Sequence, residues 1–481
     1  MKKRNKILLI INFIIFSILV LTSAIFMYKM IETNIVPNKY LIIVGSILSV
    51  ITIVDFILIL KKVKIASIIL DVLIALIVGV ELFAIPKMTE FIEFINENFS
   101  AQYDISIYTL MVSADSDYYT FDDINGKTII VHNETEGDKL EKLLTEKVSN
   151  VTLKNSEDIM GDLNKLKYNK DMIILTDSVY FDTQVENDPE YENKVRIIGS
   201  FEIKVKLENK PTRDINVTKN SFVVYISGID TRTDSMPTKS LSDVNILMVV
   251  NPDSKRILLI HTPRDYYVQL HNTTGLRDKL THAGTKKGGV LTSLATMEDL
   301  YNINIPFYVR VNFKSVVKVV DAIGGINIYN DQNYTVTSYV DSSCNFKPGW
   351  NNGVKGRCAL AFARERHAYN TGDKHRGENQ EQVITRVIDK VSSSTVLLNK
   401  YSDILKSLSN SFETNIDSEK MTSLVKMQLD DMAKWSIDTY NVTGSGKMDY
   451  TYSYPKQQLY VMEPNQETVE TAKKKIKEVL S

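Results

Sequence analysis

The feature that most constrains this chain is the crowding of its apolar residues into three long runs within the first 86 positions. The runs extend from Ile7 to Tyr28, from Tyr40 to Leu60 and from Ile65 to Ile85. Each is long enough for a helix of about 20 residues to cross a bilayer core. A cleavable leader would carry a shorter apolar stretch and a small-residue cleavage site. Basic residues at Lys2, Lys3, Arg4 and Lys6, and again at Lys61, Lys62 and Lys64, favour the cytoplasmic side. Three spans then put the N-terminus in the cytoplasm and everything after Pro86 outside it. Asp55, Asp71 and Glu81 fall inside the second and third runs. For Asp55 and Asp71 the expectation is a local ion pair with the lysines at 61–64, or snorkelling to the interface.

The rest of the chain is compositionally ordinary. Its 481 residues exceed one average domain, so more than one folded unit is expected. A formal net charge of −1 lacks the basic excess of a nucleic-acid binder, so no nucleic-acid partner is expected. Cys344 and Cys358 are too few for a disulfide scaffold or a structural zinc site. They bracket Lys347-Pro348-Gly349-Trp350 and Gly353, a turn-like stretch that a disulfide would close; two free thiols are the alternative. The histidines His261, His282, His367 and His375 lack metal-ligand spacing.

From Tyr103 to Lys206, strand-like runs (Thr128–Val131, Met172–Leu175, Val195–Ile198, Phe201–Leu207) alternate with helical spacing such as Asp138–Leu144. That alternation predicts a small α/β domain. Its segment Asp122–Val131 is similar to a stretch of periplasmic solute-binding proteins; a spacer or docking module is the expected role, with ligand sensing the alternative. A polar linker follows at Glu208–Lys219, and Phe222–Ile226 opens a new strand. Near the C-terminus, helices are expected from about Gln382 and over Glu467–Leu480, and Thr443–Lys447 reads as a turn.

After Phe222, charged phrases stand beside buried-strand runs. Ser227-Gly228-Ile229-Asp230 follows the first strand, and Ser242-Asp243 precedes a second, Asn245–Val250. A third, Ile257–Ile260, leads into Thr262-Pro263-Arg264-Asp265. Charges at strand ends commonly mark the ligand edge of an α/β sheet. Lys279-Leu280-Thr281-His282, Tyr308–Phe313, Asp321–Ile326, Arg364-Glu365-Arg366 and Asp373–Gln380 complete the series. In this order and spacing, the set resembles the LytR–CpsA–Psr family from Phe222 to the C-terminus. With three spans and an intervening domain, the layout looks like that of streptococcal capsule-attachment members.

The resemblance implies an α/β protein in three parts. A three-helix transmembrane anchor occupies 1–87, with spans about 7–28, 40–60 and 65–85. A small extracytoplasmic accessory α/β domain occupies 100–210. A phosphotransferase domain with a central mixed sheet flanked by helices occupies 216–481. The reaction it implies is transfer of a glycopolymer, expected to be capsular polysaccharide, from a polyprenyl-pyrophosphate carrier to peptidoglycan through a phosphodiester link. Capsule-synthesis machinery becomes a possible partner. Transfer of wall teichoic acid or another secondary polymer is the alternative, as is lipid-binding regulation without turnover.

Site roles follow residue by residue. Arg264, Arg364, Arg366, Arg376 and Gln380 match contacts to the pyrophosphate, which suits guanidinium forks, and Lys279 is expected as a further pyrophosphate contact or else a rim charge. Asp230 and Asp243 match the acidic positions expected to hold Mg2+ (or Mn2+), a cation that prefers oxygen ligands. Asp230 could instead take the acceptor proton, or merely cap a strand end. The expected catalytic set is Asp230, Arg264, Asp265 and Arg364, with Asp265 orienting Arg264. One departure stands out: Leu241 occupies a position that is arginine in many members, and Lys239 or Arg277 is a candidate replacement. The lipid tail needs an apolar tunnel; residues in Val316–Ile328 could line it or form plain core.

Overall fold

The computed structural model describes residues 2–100, 103–132, 137–206, 214–229, 236–370, 372–391 and 412–481. Its N-terminal runs are helices α1 (Lys2–Glu32), α2 (Asn38–Lys61) and α3 (Lys64–Ser100). Three segments within them, Leu9–Glu32, Asn38–Lys61 and Lys64–Glu93, are long and apolar enough to cross a membrane. A helix satisfies its own backbone, so its apolar side chains can face lipid; Ile42, Ile69 and Phe83 all point outward. Inside the bundle, Glu81 accepts from Thr22 Oγ1 at 2.5 Å and Ser23 Oγ at 2.6 Å, tying α3 to α1. Two expectations are corrected here. The third helix does not stop at Pro86 but runs through it to Ser100; helix neighbours make a proline tolerable in such a segment. Asp55 is buried without a hydrogen-bond partner for either oxygen among the described residues, instead of pairing with the lysines at 61–64.

The accessory unit is a five-stranded sheet of β1 (Tyr103–Ser113), β2 (Thr128–His132), β3 (Thr152–Asn155), β4 (Ile173–Asp177) and β5 (Val195–Lys206), in the order β3-β2-β4-β1-β5. Helices α4 (Gly137–Thr145), α5 (Ile159–Leu166), α6 (Ser178–Asn187) and α7 (Tyr191–Lys194) connect and cover it. The two strand patches at 195–198 and 201–207 are one strand, irregular in register opposite Leu110 and Met111. Asp177 ends β4 and caps α6, accepting from Val179 N at 3.1 Å. Strand and helix are therefore joined without a loop, which fixes where the far end of α6 arrives.

The C-terminal unit is built on β6 (Phe222–Ile229), β7 (Val244–Asn251), β8 (Arg256–His261), the short pair β9 (Tyr267–Val268) and β10 (Asp278–Lys279), α8 (Val290–Tyr301), β11 (Phe307–Asn312) and α9 (Phe313–Ala322). Then come β12 (Ile326–Asn330), β13 (Val336–Thr337), β14 (Asn345–Phe346), β15 (Gly349–Val354), α10 (Gly356–Arg364), α11 (Asp373–Val391), β16 (Phe412–Thr414), α12 (Ser418–Asp431) and β17 (Ser436–Asn441). The hairpin β18 (Gly444–Tyr450)–β19 (Gln458–Pro464) and α13 (Gln466–Leu480) complete it.

The central mixed sheet runs β16-β11-β6-β7-β8-β17. Alternate residues of its inner strands enter two cores. Val223, Tyr225, Leu247, Val249, Leu258 and Ile260 pack with Met297 of α8 and Ile476 of α13. Phe222, Val224, Ile226, Ile246 and Leu259 pack on the other face with Ile384 of α11 and Leu424 of α12. Burial on both faces is why these strands read as continuous apolar runs. Each fully buried Leu or Ile contributes roughly 1.5–3 kcal/mol of transfer free energy.

Val320, Ile323, Ile326 and Ile328 join Phe346 and Phe362 in a further core, in agreement with the core alternative for that stretch. Cys344 and Cys358 form a disulfide, Cα–Cα 5.4 Å, between the 336–346 hairpin and α10. Thr443–Lys447 is not a turn: it enters β18 and pairs with β19. A Cβ at Gly446 would lie 2.7 Å from Tyr460 Cε2, so the glycine makes room for a cross-strand ring rather than for a bend.

Candidate functional site

Strand direction gathers the charged phrases. β7 runs antiparallel to both β6 and β8, so the start of β7 and the ends of β6 and β8 share one sheet edge. Asp243 immediately precedes β7, and its N–H donates to Gly228 O at 2.8 Å. Arg264 leaves the end of β8 and donates from Nη1 to Asp243 Oδ1 at 2.5 Å. A buried polar network stiffens this edge: Tyr225 OH donates to Asn245 Oδ1 at 2.6 Å, and the Ser227 and Ser242 hydroxyls are 2.7 Å apart.

The β9–β10 pair brings Lys279 beside Arg264. Lys279 Nζ lies 2.7 Å from Asp265 Oδ1 in a buried ion pair. Asp265 Oδ2 is 3.9 Å from Arg264 Nε, so Asp265 stands between the two cations. Lys279 Nζ also donates to Glu186 Oε1 at 2.5 Å, and Arg264 Nη2 lies 3.8 Å from the same oxygen. Glu186 comes from the accessory unit, near the end of α6. Its Oε2 is 3.1 Å from His282 Nε2, while His282 Nδ1 is 2.6 Å from Asp278 Oδ1. Burial opposes charge on His282, but Asp278 and Glu186, one on each ring nitrogen, raise its pKa. Burial likewise opposes charge on Glu186, yet Lys279, His282 and Arg264 hold its carboxyl well below the usual range. Asp278 is satisfied in turn by Ser453, whose Oγ and N–H donate at 2.5 and 2.9 Å.

A cavity of about 470 Å³ opens at this cluster, lined by Glu186, Asn187, Arg264, Asp265, Lys279 and Arg366 together with Met448 and Gln457–Tyr460 of the β18–β19 region. Arg364 ends α10 and is exposed, as is Arg366; Glu365 between them turns inward. Glu365 accepts from Ser338 Oγ and from the N–H groups of Tyr339, His367 and Ala368, which fixes the arginine-bearing segment.

Arg376 and Gln380 lie on α11. Gly377 leaves no room for a Cβ against the His261 ring, so α11 approaches the end of β8 closely. Burial and the charge of Arg376 push His261 down to about 4. Arg376 thus stands at the strand end from which Arg264 departs, and Gln380 is buried one turn further on.

Among the expected residues, Arg264, Asp265, Lys279 and Arg366 share the cavity, and Asp243 joins them through Arg264. Asp230 falls in 230–235, outside the described residues. Neither candidate for the missing arginine lines the cavity. Arg277 makes a bidentate pair with Glu463 at 2.7 and 2.8 Å, and Lys239 lies 3.9 Å from Asp177. Arg310, within Tyr308–Phe313, is buried and donates to Glu413 and Ser240, which ties β11 to its neighbours rather than to the cavity. Glu186 and Asp278 were not anticipated. Asp278 adjoins Lys279 and was within reach of that motif; Glu186 has no local signal, because its partners lie in another unit.

The LytR_cpsA_psr family model matches residues 191–477. This chain belongs to the LytR–CpsA–Psr family. The match begins at the accessory unit's α7, earlier than the Phe222 from which the motifs were read. Among curated LytR–CpsA–Psr relatives, the polyisoprenyl-teichoic acid–peptidoglycan teichoic acid transferase TagU of Enterococcus faecalis is 31% identical over 271 residues, covering 56% of this chain and 79% of the relative. Biofilm regulatory protein A of Streptococcus mutans is 30% identical over 244 residues, covering 49% of this chain and 59% of the relative. The crystal structure of Bacillus subtilis TagV is 30% identical, with a TM-score of 0.45 over 55% of this chain and 98% of that one.

A divalent cation does not fit the described residues alone. No group of three or more His, Cys, Asp or Glu among them is arranged to hold a metal, and Asp243 is engaged by Arg264. A role for Mg2+ or Mn2+ therefore requires Asp230 to join Asp243, and transfer activity after chelation and refilling tests it.

Proposed function

We propose that this chain transfers a glycopolymer from a polyprenyl-pyrophosphate carrier to a hydroxyl of peptidoglycan, at the outer face of the membrane that its three helices span. The observation that carries this reading is the convergence of Arg264, Lys279 and Arg366 on one cavity at the sheet edge. Three fixed cationic groups around one opening suit a diphosphate, whose oxygens accept several charge-assisted hydrogen bonds. Arg364, Arg376 and Gln380 do not line this cavity, although α11 brings Arg376 close to His261 at the end of β8.

In the proposed step the acceptor hydroxyl oxygen forms a bond to the phosphorus that carries the polymer. The bond from that phosphorus to the bridging oxygen breaks, and its electron pair leaves with the polyprenyl phosphate. Arg264 and Arg366 offset the charge growing on that leaving group. Asp265, between the two cations, holds Arg264 and Lys279 in position. The acceptor proton goes to a carboxylate; Asp243 is already paired with Arg264, which leaves Asp230 as the candidate base.

The E. faecalis relative's name favours teichoic acid, or a related secondary polymer, over the capsular polysaccharide expected from layout alone. Capsule-synthesis machinery gains no support as a partner. The test supplies a purified polyprenyl-pyrophosphate-linked teichoic acid and peptidoglycan to the wild type and to Arg264→Ala. Product from the wild type and a loss of at least tenfold in the variant are expected. Equal product from both would overturn the site assignment.

A further inference from the structure

Three largely buried bases at the sheet edge, Arg264, Lys279 and His282, each have an acid of their own from the C-terminal unit. Arg264 has Asp243 at 2.5 Å, Lys279 has Asp265 at 2.7 Å, and His282 has Asp278 at 2.6 Å. Glu186 is a fourth acid for three bases, and it comes from the accessory unit. Its Oε1 sits between Lys279 at 2.5 Å and Arg264 at 3.8 Å, and its Oε2 reaches His282 at 3.1 Å. The side chain is only 4% exposed, although it borders the cavity. A carboxylate oxygen held by an ammonium and a guanidinium makes the same demand on them as a phosphate oxygen does. Its pKa, held low despite burial, keeps it charged at neutral pH.

Placement of this acid is a property of two units together. Asp177 caps α6 at one end, and Lys239 lies 3.9 Å from that same carboxylate. Thr238 N donates to Ile105 O at 2.8 Å, while Ile105 N donates to Thr238 Oγ1 at 2.9 Å. These contacts stitch β1 of the accessory sheet to the segment that leads to Asp243. They hold the end of α6 over the cation pair.

We propose that Glu186 is a built-in competitor of the diphosphate for Lys279 and Arg264, so that the accessory unit sets how tightly the site holds its lipid donor. This rests on reading those two cations as diphosphate contacts. The donor's head group displaces Glu186 from Lys279, and Glu186 returns when the polyprenyl phosphate leaves. The device favours release of a product that carries fewer charged oxygens than the donor.

The experiment uses the full chain in detergent, with farnesyl pyrophosphate as the probe and calorimetry as the readout. Glu186→Gln keeps the size and loses the charge; it should bind on the order of tenfold tighter, about 1.4 kcal/mol. Lys279→Ala and Arg264→Ala should bind more weakly than the wild type. If these two bind as the wild type does, the diphosphate reading itself fails. If they weaken but Glu186→Gln binds equally or more weakly, Glu186 only supports its neighbours and the competition is overturned. Thermal melting reports whether each variant is folded. Should Glu186→Gln melt early, Glu186→Asp is measured in its place, since it draws the charge back by one methylene. It should still bind more tightly than the wild type, and equal or weaker binding would overturn the proposal.

Discussion

Arg264 and Asp243 hold each other at 2.5 Å across the ends of two antiparallel strands, with 17% and 18% of their side chains exposed. The acid expected to serve a metal is therefore also the counter-ion of the arginine expected to serve the phosphate. Removing Asp243 leaves a largely buried Arg264 with only the longer contacts to Glu186 and Asp265, at 3.8 and 3.9 Å. Asp243→Asn should lower stability by roughly 3 kcal/mol and abolish most transfer. Urea denaturation and the transfer assay read the two effects separately.

Arg366 lines the same cavity but is exposed, so its loss strands no buried acid. Arg366→Ala should reduce kcat on the order of 100-fold, the usual effect of deleting one donor to a developing oxyanion. Its melting temperature should match that of the wild type. An unchanged kcat would remove Arg366 from the site.

Glu381 is buried on α11, with no hydrogen-bond partner for Oε1 among the described residues, and burial pushes its carboxyl up to about 8. The unfolded chain releases this proton near its ordinary value, while the folded chain retains it. Stability is therefore lost as pH rises from about 4.5 towards 8, and the loss levels off above that. Glu381→Gln should melt like the wild type at pH 4 and several degrees higher at pH 9. Melting curves across that range check the sign.

The Cys344–Cys358 bridge closes a loop of sequence separation 14 and anchors α10, whose last residue is Arg364. The paired Cys344→Ser, Cys358→Ser variant should lose roughly 3 kcal/mol in the chain-entropy account. Reduction of the wild type should shift its mass by two hydrogens and lower its denaturation midpoint to that of the variant.

Several elements were legible because their cause is local. The spans announce themselves by unbroken apolar length, and β6, β7 and β8 by short apolar runs between polar phrases. Helix α13 showed in the spacing of its apolar residues. The misreadings share a physical origin. Pro86 is a breaker in isolation but sits inside a packed helix, and Gly444 and Gly446 look like a turn until β19 lies across them. The split of β5 into two patches disappeared because one continuous partner, β1, pairs with both.

By itself, the sequence determined the family and the three apolar helices, and it pointed to the chemical type of most of the candidate site. Each of these depends on residue identity and on spacing along the chain. Only the tertiary structure decided which charges meet. Antiparallel β7 delivers Asp243 to Arg264, and Gly377 admits α11 to the end of β8. The capped α6 carries Glu186 from another unit onto Lys279. Ion pairing acts through distance in space, and folding brings together side chains that chain spacing leaves far apart.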